Sequence, residues 1–161
     1  MKTIIIIRHA KSSWDFPIQD KLRNLTQKGV ENIKKIADNA SDFLPANLTI
    51  WCSTATRASQ TAQFFCEKAG ISESKILFKD SLYTFEGKVL ENEIKKCDNS
   101  IDNLLLFGHN EAITDFVNKF GDKIILNVPT AGLVIIKFEQ NNWLEIRKGK
   151  TVKTLFPKDI E

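Results

Sequence analysis

The segment Thr3-Ile4-Ile5-Ile6-Ile7-Arg8-His9 decides how this chain folds. Four consecutive isoleucines without polar alternation describe a strand covered on both faces, the kind found in parallel sheets packed between helices. The strand ends on an arginine and a histidine. In open parallel sheets ligands bind outside the carboxyl ends of the strands, so those two residues stand where a ligand would.

Working outward, the chain alternates strand and helix signals. Thr26 is placed to cap a helix whose Val30, Ile33, Ile36, Ala37 and Ala40 recur at helical spacing, with Pro45 as a breaker. Leu48 to Cys52 reads as a second strand. Ser53-Thr54 gives a cap signal for a helix running to Ala69 and stopped by Gly70. Ile76 to Phe78 reads as a short strand, Val89 to Lys96 as a helix and Leu104 to Phe107 as another buried strand. Gly108-His109-Asn110 then turns the chain into a helix over Glu111–Phe120. Gly132 to Phe138, the turn residues Gln140-Asn141-Asn142, and Trp143 to Arg147 predict an antiparallel hairpin. The pattern implies one α/β domain over residues 1–161. Its expected form is a three-layer α/β/α sandwich with a mostly parallel central sheet and a C-terminal antiparallel hairpin. Strand order is not readable from the pattern.

Composition narrows the function. The 161 residues are 42% hydrophobic and 27% charged, as in ordinary globular proteins. No apolar run approaches the roughly 20 residues needed to cross a bilayer, so no membrane association is expected. The apolar stretch after Met1-Lys2-Thr3 is too brief for a signal-peptide core and no small-residue cleavage site follows, which predicts a cytoplasmic protein. Cys52, Cys66 and Cys97 are odd in number, widely spaced and read as reduced thiols. The net charge of +3 is spread without an arm or stripe, so no nucleic-acid partner is expected.

The chain has two histidines, and both directly follow a predicted parallel strand. Arg8 adjoins the first, and Arg57 falls in the first turn of the helix after the second strand. Two histidines and two arginines at strand ends make an anion site. Planar guanidiniums match phosphoryl oxygens with paired hydrogen bonds, Arg8 and Arg57 each gripping two of them. The helix start beside Arg57 adds favourable potential. A neutral imidazole, its other nitrogen held by a carbonyl, can attack phosphorus; a second imidazole, protonated, stabilises the charge that develops. With that much positive charge in place, neither a metal nor another cofactor is expected.

These residues also carry a family resemblance. Ile7-Arg8-His9-Ala10-Lys11-Ser12-Ser13-Trp14 resembles the Arg-His-Gly signature of the histidine phosphatase (phosphoglycerate mutase-like) superfamily, and more closely its small phosphohistidine phosphatases of the SixA type. Asp20 to Gly29 is similar to an Asp-x-x-Arg-x-Leu-Thr-x-x-Gly segment of that type, and Ser53 to Ala62 to its Ser-x-x-x-Arg-Ala-x-Gln-Thr-Ala segment. Gly108-His109-Asn110 matches the second-histidine motif, and Pro129-Thr130-Ala131-Gly132 a late family segment. The resemblance runs in order over nearly the whole chain. It implies His9 as the nucleophile that forms phosphohistidine, Arg8 and Arg57 as phosphate clamps, and His109 as the second imidazole. Arg23, Lys11, Ser12, Glu86, Asn110 and Thr130 are secondary candidates for substrate contact, Arg23 equally a structural partner of Asp20.

Two departures bear on the substrate. Ala10 stands where the wider superfamily often has glycine, a change a methyl group should allow. Members that cleave esters also carry a carboxylic acid after the third strand, and the segment Ser81 to Lys88 offers only Glu86, which reads better as a helix-start residue. An acid is worth about 10²–10⁴ in rate when an alkoxide must leave, whereas the imidazole of phosphohistidine is a weakly basic leaving group. The expected partner is therefore a phosphorylated protein bearing phosphohistidine, acted on by a monomer. The alternatives are a small phosphorylated substrate, with Glu86 or Asp20 as acid, and a phosphate-binding module without turnover.

Overall fold

The computed structural model describes residues 1–14 and 18–160. Strands and helices alternate as β1 (Lys2–Arg8), α1 (Gln27–Ala40), β2 (Thr49–Ser53), α2 (Thr56–Ala69), β3 (Ile76–Lys79), α3 (Gly87–Lys95), β4 (Asn103–Gly108), α4 (Ala112–Phe120), β5 (Leu133–Phe138) and β6 (Lys150–Leu155). The six strands form one sheet in the order β3-β2-β4-β1-β5-β6. β3, β2, β4 and β1 are parallel, while β5 and β6 run antiparallel. The sheet puts β1 and β4 side by side at its centre.

Alternation along each central strand divides the core into two layers. Ile4, Ile6, Leu104, Leu106, Val134 and Ile136 face the side covered by α3, α4 and the indole of Trp143. Ile5, Ile7, Leu105, Phe107, Leu133 and Ile135 face the side covered by α1 and α2. Because both faces are covered, a strand with no polar residues is the stable choice here. This is the three-layer α/β/α sandwich, mostly parallel, that the sequence predicts.

Thr26 caps α1 by accepting the Gly29 N–H at 3.0 Å, and Gly70 closes α2 in the left-handed region at φ 75°. The α2 start differs from expectation. Ser53 belongs to β2, and Ala55 occupies the capping position without a side-chain bond.

The hairpin also differs. β5 pairs with Lys150–Leu155, not with Trp143–Arg147. Trp143–Glu145 forms a single 3-10 turn capped by Asn142. The Trp143 ring is fully buried, and its Nε1 donates to the Ile101 carbonyl at 2.6 Å. A run of alternating apolar residues with a tryptophan reads as a strand locally, but this indole fills the layer beneath the sheet, so the chain must detour before β6 begins. Among the described residues, no helix is long and apolar enough to cross a membrane.

Candidate active site

Parallel pairing in register brings the two histidines together. Arg8 lies opposite Gly108, so the next residue on each strand is a histidine. The His9 N–H donates to the Gly108 carbonyl at 3.0 Å, and the two rings lie 5.3 Å apart, tilted by 54°.

His9 is 8% exposed. Its Nδ1 lies 2.7 Å from the Ala10 carbonyl. A carbonyl only accepts, so Nδ1 carries the proton and Nε2 keeps its lone pair. Arg57 Nε donates to that lone pair at 3.3 Å. Burial is the main force lowering the His9 pKa, opposed by the Ala10 carbonyl and assisted by Arg57, Arg8 and Arg23, to about 3. The ring is a neutral imidazole at physiological pH.

Arg57 is held from the side away from His9. Its Nη1 donates to the Asp20 carbonyl at 2.8 Å and its Nη2 to Asp20 Oδ2 at 3.0 Å. The other Asp20 oxygen accepts from Arg23 Nε at 3.2 Å, and the Tyr83 hydroxyl donates to Oδ2. Partial burial alone would raise the Asp20 carboxyl, but Tyr83, Arg57 and Arg23 outweigh it and hold it at about 2. Asp20 is thus an ionised strut between two arginines. One edge of Arg57 is committed to it, which leaves less of the guanidinium for an anion than the paired grip predicted from sequence.

His109 is 1% exposed and lies behind His9. Its Nε2 is 2.8 Å from Ser53 Oγ, and the rings of Tyr83 and Phe85 pack 5.3 and 5.6 Å away. Burial lowers its pKa, with His9 and Arg57 adding and Asp20 opposing, to about 3. Sequence reasoning expected a protonated ring; among protein groups alone it is neutral, because burial, aided by the nearby positive charges, outweighs the carboxylate of Asp20. His109 Nδ1 and Arg8 Nε are the two buried side-chain polar atoms without a partner among the described residues. Arg8 otherwise donates from Nη1 to the Val128 carbonyl at 2.8 Å.

A cleft of about 360 Å³ lies over His9. Arg8, Lys11, Ser12, Arg23, Arg57, Asn110 and Thr130 line it, together with Asp20, Trp14 and Phe85. Arg23 pairs with Asp20 and lines the cleft, where its Nη1 donates to Ser12 Oγ at 2.5 Å. The Asn110 carboxamide anchors the start of α4 through the Thr114 N–H at 3.0 Å. Ala131 adopts φ 61°, and its N–H reaches the Arg8 carbonyl at 3.0 Å, tying the Pro129–Gly132 turn to the end of β1. Among the described residues, no three His, Cys, Asp or Glu side chains lie together as a cation site.

Residues 4–110 match the histidine phosphatase superfamily (branch 1). The chain belongs to that superfamily. It is 28% identical over 158 residues to an uncharacterized protein of Mycobacterium tuberculosis, covering 89% of this chain and 93% of that one. Its fold is similar to that of a protein histidine phosphatase SixA complexed with tungstate, at TM-score 0.80, 16% identity and 98% coverage of both chains. It is also similar to a putative phosphohistidine phosphatase SixA from Agrobacterium tumefaciens, at TM-score 0.76 and 24% identity, covering 96% of this chain and 97% of the other.

Glu86 does not line the cleft and stands where a helix-start residue would. It is the exposed residue preceding α3, and its neighbour Phe85 makes the cleft wall there. The Phe85 ring packs its inner edge against Tyr83 and His109. Ser53 and Tyr83 were missed as site residues. Ser53 had a signal, since it ends β2 at the same sheet edge as the histidines. Tyr83 reaches Asp20 across 63 positions, a contact no local pattern encodes.

Proposed function

We propose that this chain is a phosphohistidine phosphatase that carries the phosphoryl group on His9. The observation that carries the reading is the His9 Nδ1–H···O=C bond to Ala10, which points a neutral Nε2 at the cationic cleft. Nε2 attacks phosphorus, the Nε2–P bond forms as the substrate's N–P bond breaks, and the departing imidazole takes a proton from water. Water then attacks phosphorus, the Nε2–P bond breaks, and orthophosphate leaves. Arg8 and Arg57 hold the peripheral oxygens, with Arg23 and Lys11 adding charge. A phosphoryl anion among these groups supplies the missing countercharge, so His109 gains a proton and hydrogen-bonds it through the unpartnered Nδ1. Ser12, Asn110 and Thr130 shape the walls.

Asp20 favours a phosphoramidate over an ester. Among the described residues it is the one carboxyl group lining the cleft, and its arginine and tyrosine partners keep it ionised. It cannot lend an alkoxide a proton, while the more weakly basic departing imidazole can take its proton from water.

The test is trapping. Exposure to ³²P-labelled phosphohistidine should leave base-stable, acid-labile label on the protein, and His9→Ala should take up none. Unchanged turnover by His9→Ala would defeat the mechanism, and strong preference for sugar or nucleotide phosphates over phosphohistidine would defeat the substrate.

A further inference from the structure

Two large apolar side chains at least half exposed, Trp14 and Phe85, line the cleft, and three more stand on segments joined to its wall. Trp14 is 75% exposed, Leu22 49%, Phe85 50%, Ile124 91% and Leu126 93%. Single exposed apolar residues are ordinary, but these lie on three segments that meet at one place. Arg23 Cζ lies 3.5 Å from the centroid of the Trp14 ring, and Leu22 is the neighbour of Arg23 on the same chain segment. The segment bearing Phe85 joins it through Tyr83 and Asp20. The segment bearing Ile124 and Leu126 is tied to the cleft wall by Asn110 Nδ2 donating to Asn127 Oδ1 at 2.8 Å.

We propose that this rim is a docking surface for the apolar residues that flank a phosphorylated side chain on a polypeptide partner. The inference rests on the phosphatase reading above. Arg8, Arg23, Arg57 and Lys11 against Asp20 give the floor an excess of positive charge, so what occupies the mouth is anchored by a phosphoryl group. His9 lies at the bottom, so the phosphoryl group must arrive on a side chain long enough to reach it while its carrier stays at the rim. Exposed apolar groups beside a charged anchor are the arrangement expected of an interaction surface. A sugar phosphate would fill the charged floor but bury none of the exposed apolar surface beside it. A polypeptide with apolar residues on either side of its phosphohistidine covers both floor and rim.

Two synthetic peptides test this, each with one phosphohistidine, flanked by leucines in one and by serines in the other. The wild-type chain should hydrolyse the leucine peptide with at least about tenfold higher kcat/KM. In Ile124→Asp/Leu126→Asp that ratio should fall toward one, with the rate on the serine peptide unchanged. Both positions are more than nine-tenths exposed, so folding should not suffer. A wild-type ratio near one, or a ratio that survives the double substitution, would overturn the docking surface while leaving the phosphatase reading intact. Faster turnover of dodecyl phosphate than of either peptide would reassign the rim to an amphiphile and overturn the proposal. Failure to hydrolyse either peptide would remove the phosphohistidine reading, and the docking surface with it.

Discussion

Asp20 bonds to three site side chains, Arg57, Arg23 and Tyr83, although the proposed reaction uses no carboxylate there. It orients Arg57 against His9 and Arg23 against Ser12. Asp20→Asn removes the charge but keeps the shape, and should lower kcat about 10- to 100-fold through misplaced arginines. Steady-state kinetics alongside an unchanged circular-dichroism spectrum would check it, and full activity would show that the arginines need no strut. The two histidines make a second prediction. Both are held near pKa 3, mainly by burial. Between about 6.5 and 3 the unfolded chain binds more protons, so their contribution to stability is complete above 6.5 and is lost as pH falls through that window. Since the chain has two histidines, proton NMR reads both directly. Their Cε1–H signals should stay at neutral-imidazole shifts down to about pH 5, and titration near 6.5 would contradict the burial argument. Vanadate in the cleft should raise both.

At the level of elements, the position of α1 decides where the loop after β1 lies. A Cβ on Gly29 would come 2.3 Å from the Lys11 carbonyl, a backbone atom that cannot step aside. That carbonyl also accepts the Thr26 N–H at 2.9 Å, so the helix start and the Lys11-Ser12 wall form one unit. Gly29→Ala should therefore cost about 1–3 kcal/mol in urea unfolding and raise KM, because the wall shifts with the helix. A neutral result would mean the loop has slack. The glycine was visible in the sequence as part of the Asp20–Gly29 segment, but its reason is a long-range backbone contact.

For the molecule as a whole, stability and chemistry reside in different places. Trp143 lies under the sheet among Ile4, Phe138 and Ile146, on the α3/α4 side. Trp143→Ala removes that volume and leaves the Ile101 carbonyl short of a donor. It should cost about 3–5 kcal/mol, measured by thermal unfolding, while kcat per folded molecule stays within about twofold because the indole touches no cleft residue. Loss of activity in parallel with stability would instead couple the two layers.

The sandwich was legible because both of its signals are local. Unbroken apolar strands demand cover on two faces, and helical periodicity supplies it. The placement of His9, His109, Arg8 and Arg57 was legible for a related reason, since each stands beside the end of a strand and such ends gather at one edge of a parallel sheet. What local pattern misjudged were contacts set by volume and distance. Trp143 looks like a strand residue until the layer beneath the sheet needs an indole, so the hairpin partner moved to Lys150–Leu155. The sequence alone determined the layers and the four residues at the strand ends. Only the tertiary structure decided their protonation and grip, because burial and the Asp20–Tyr83–Arg57 network depend on chain segments that meet only after folding.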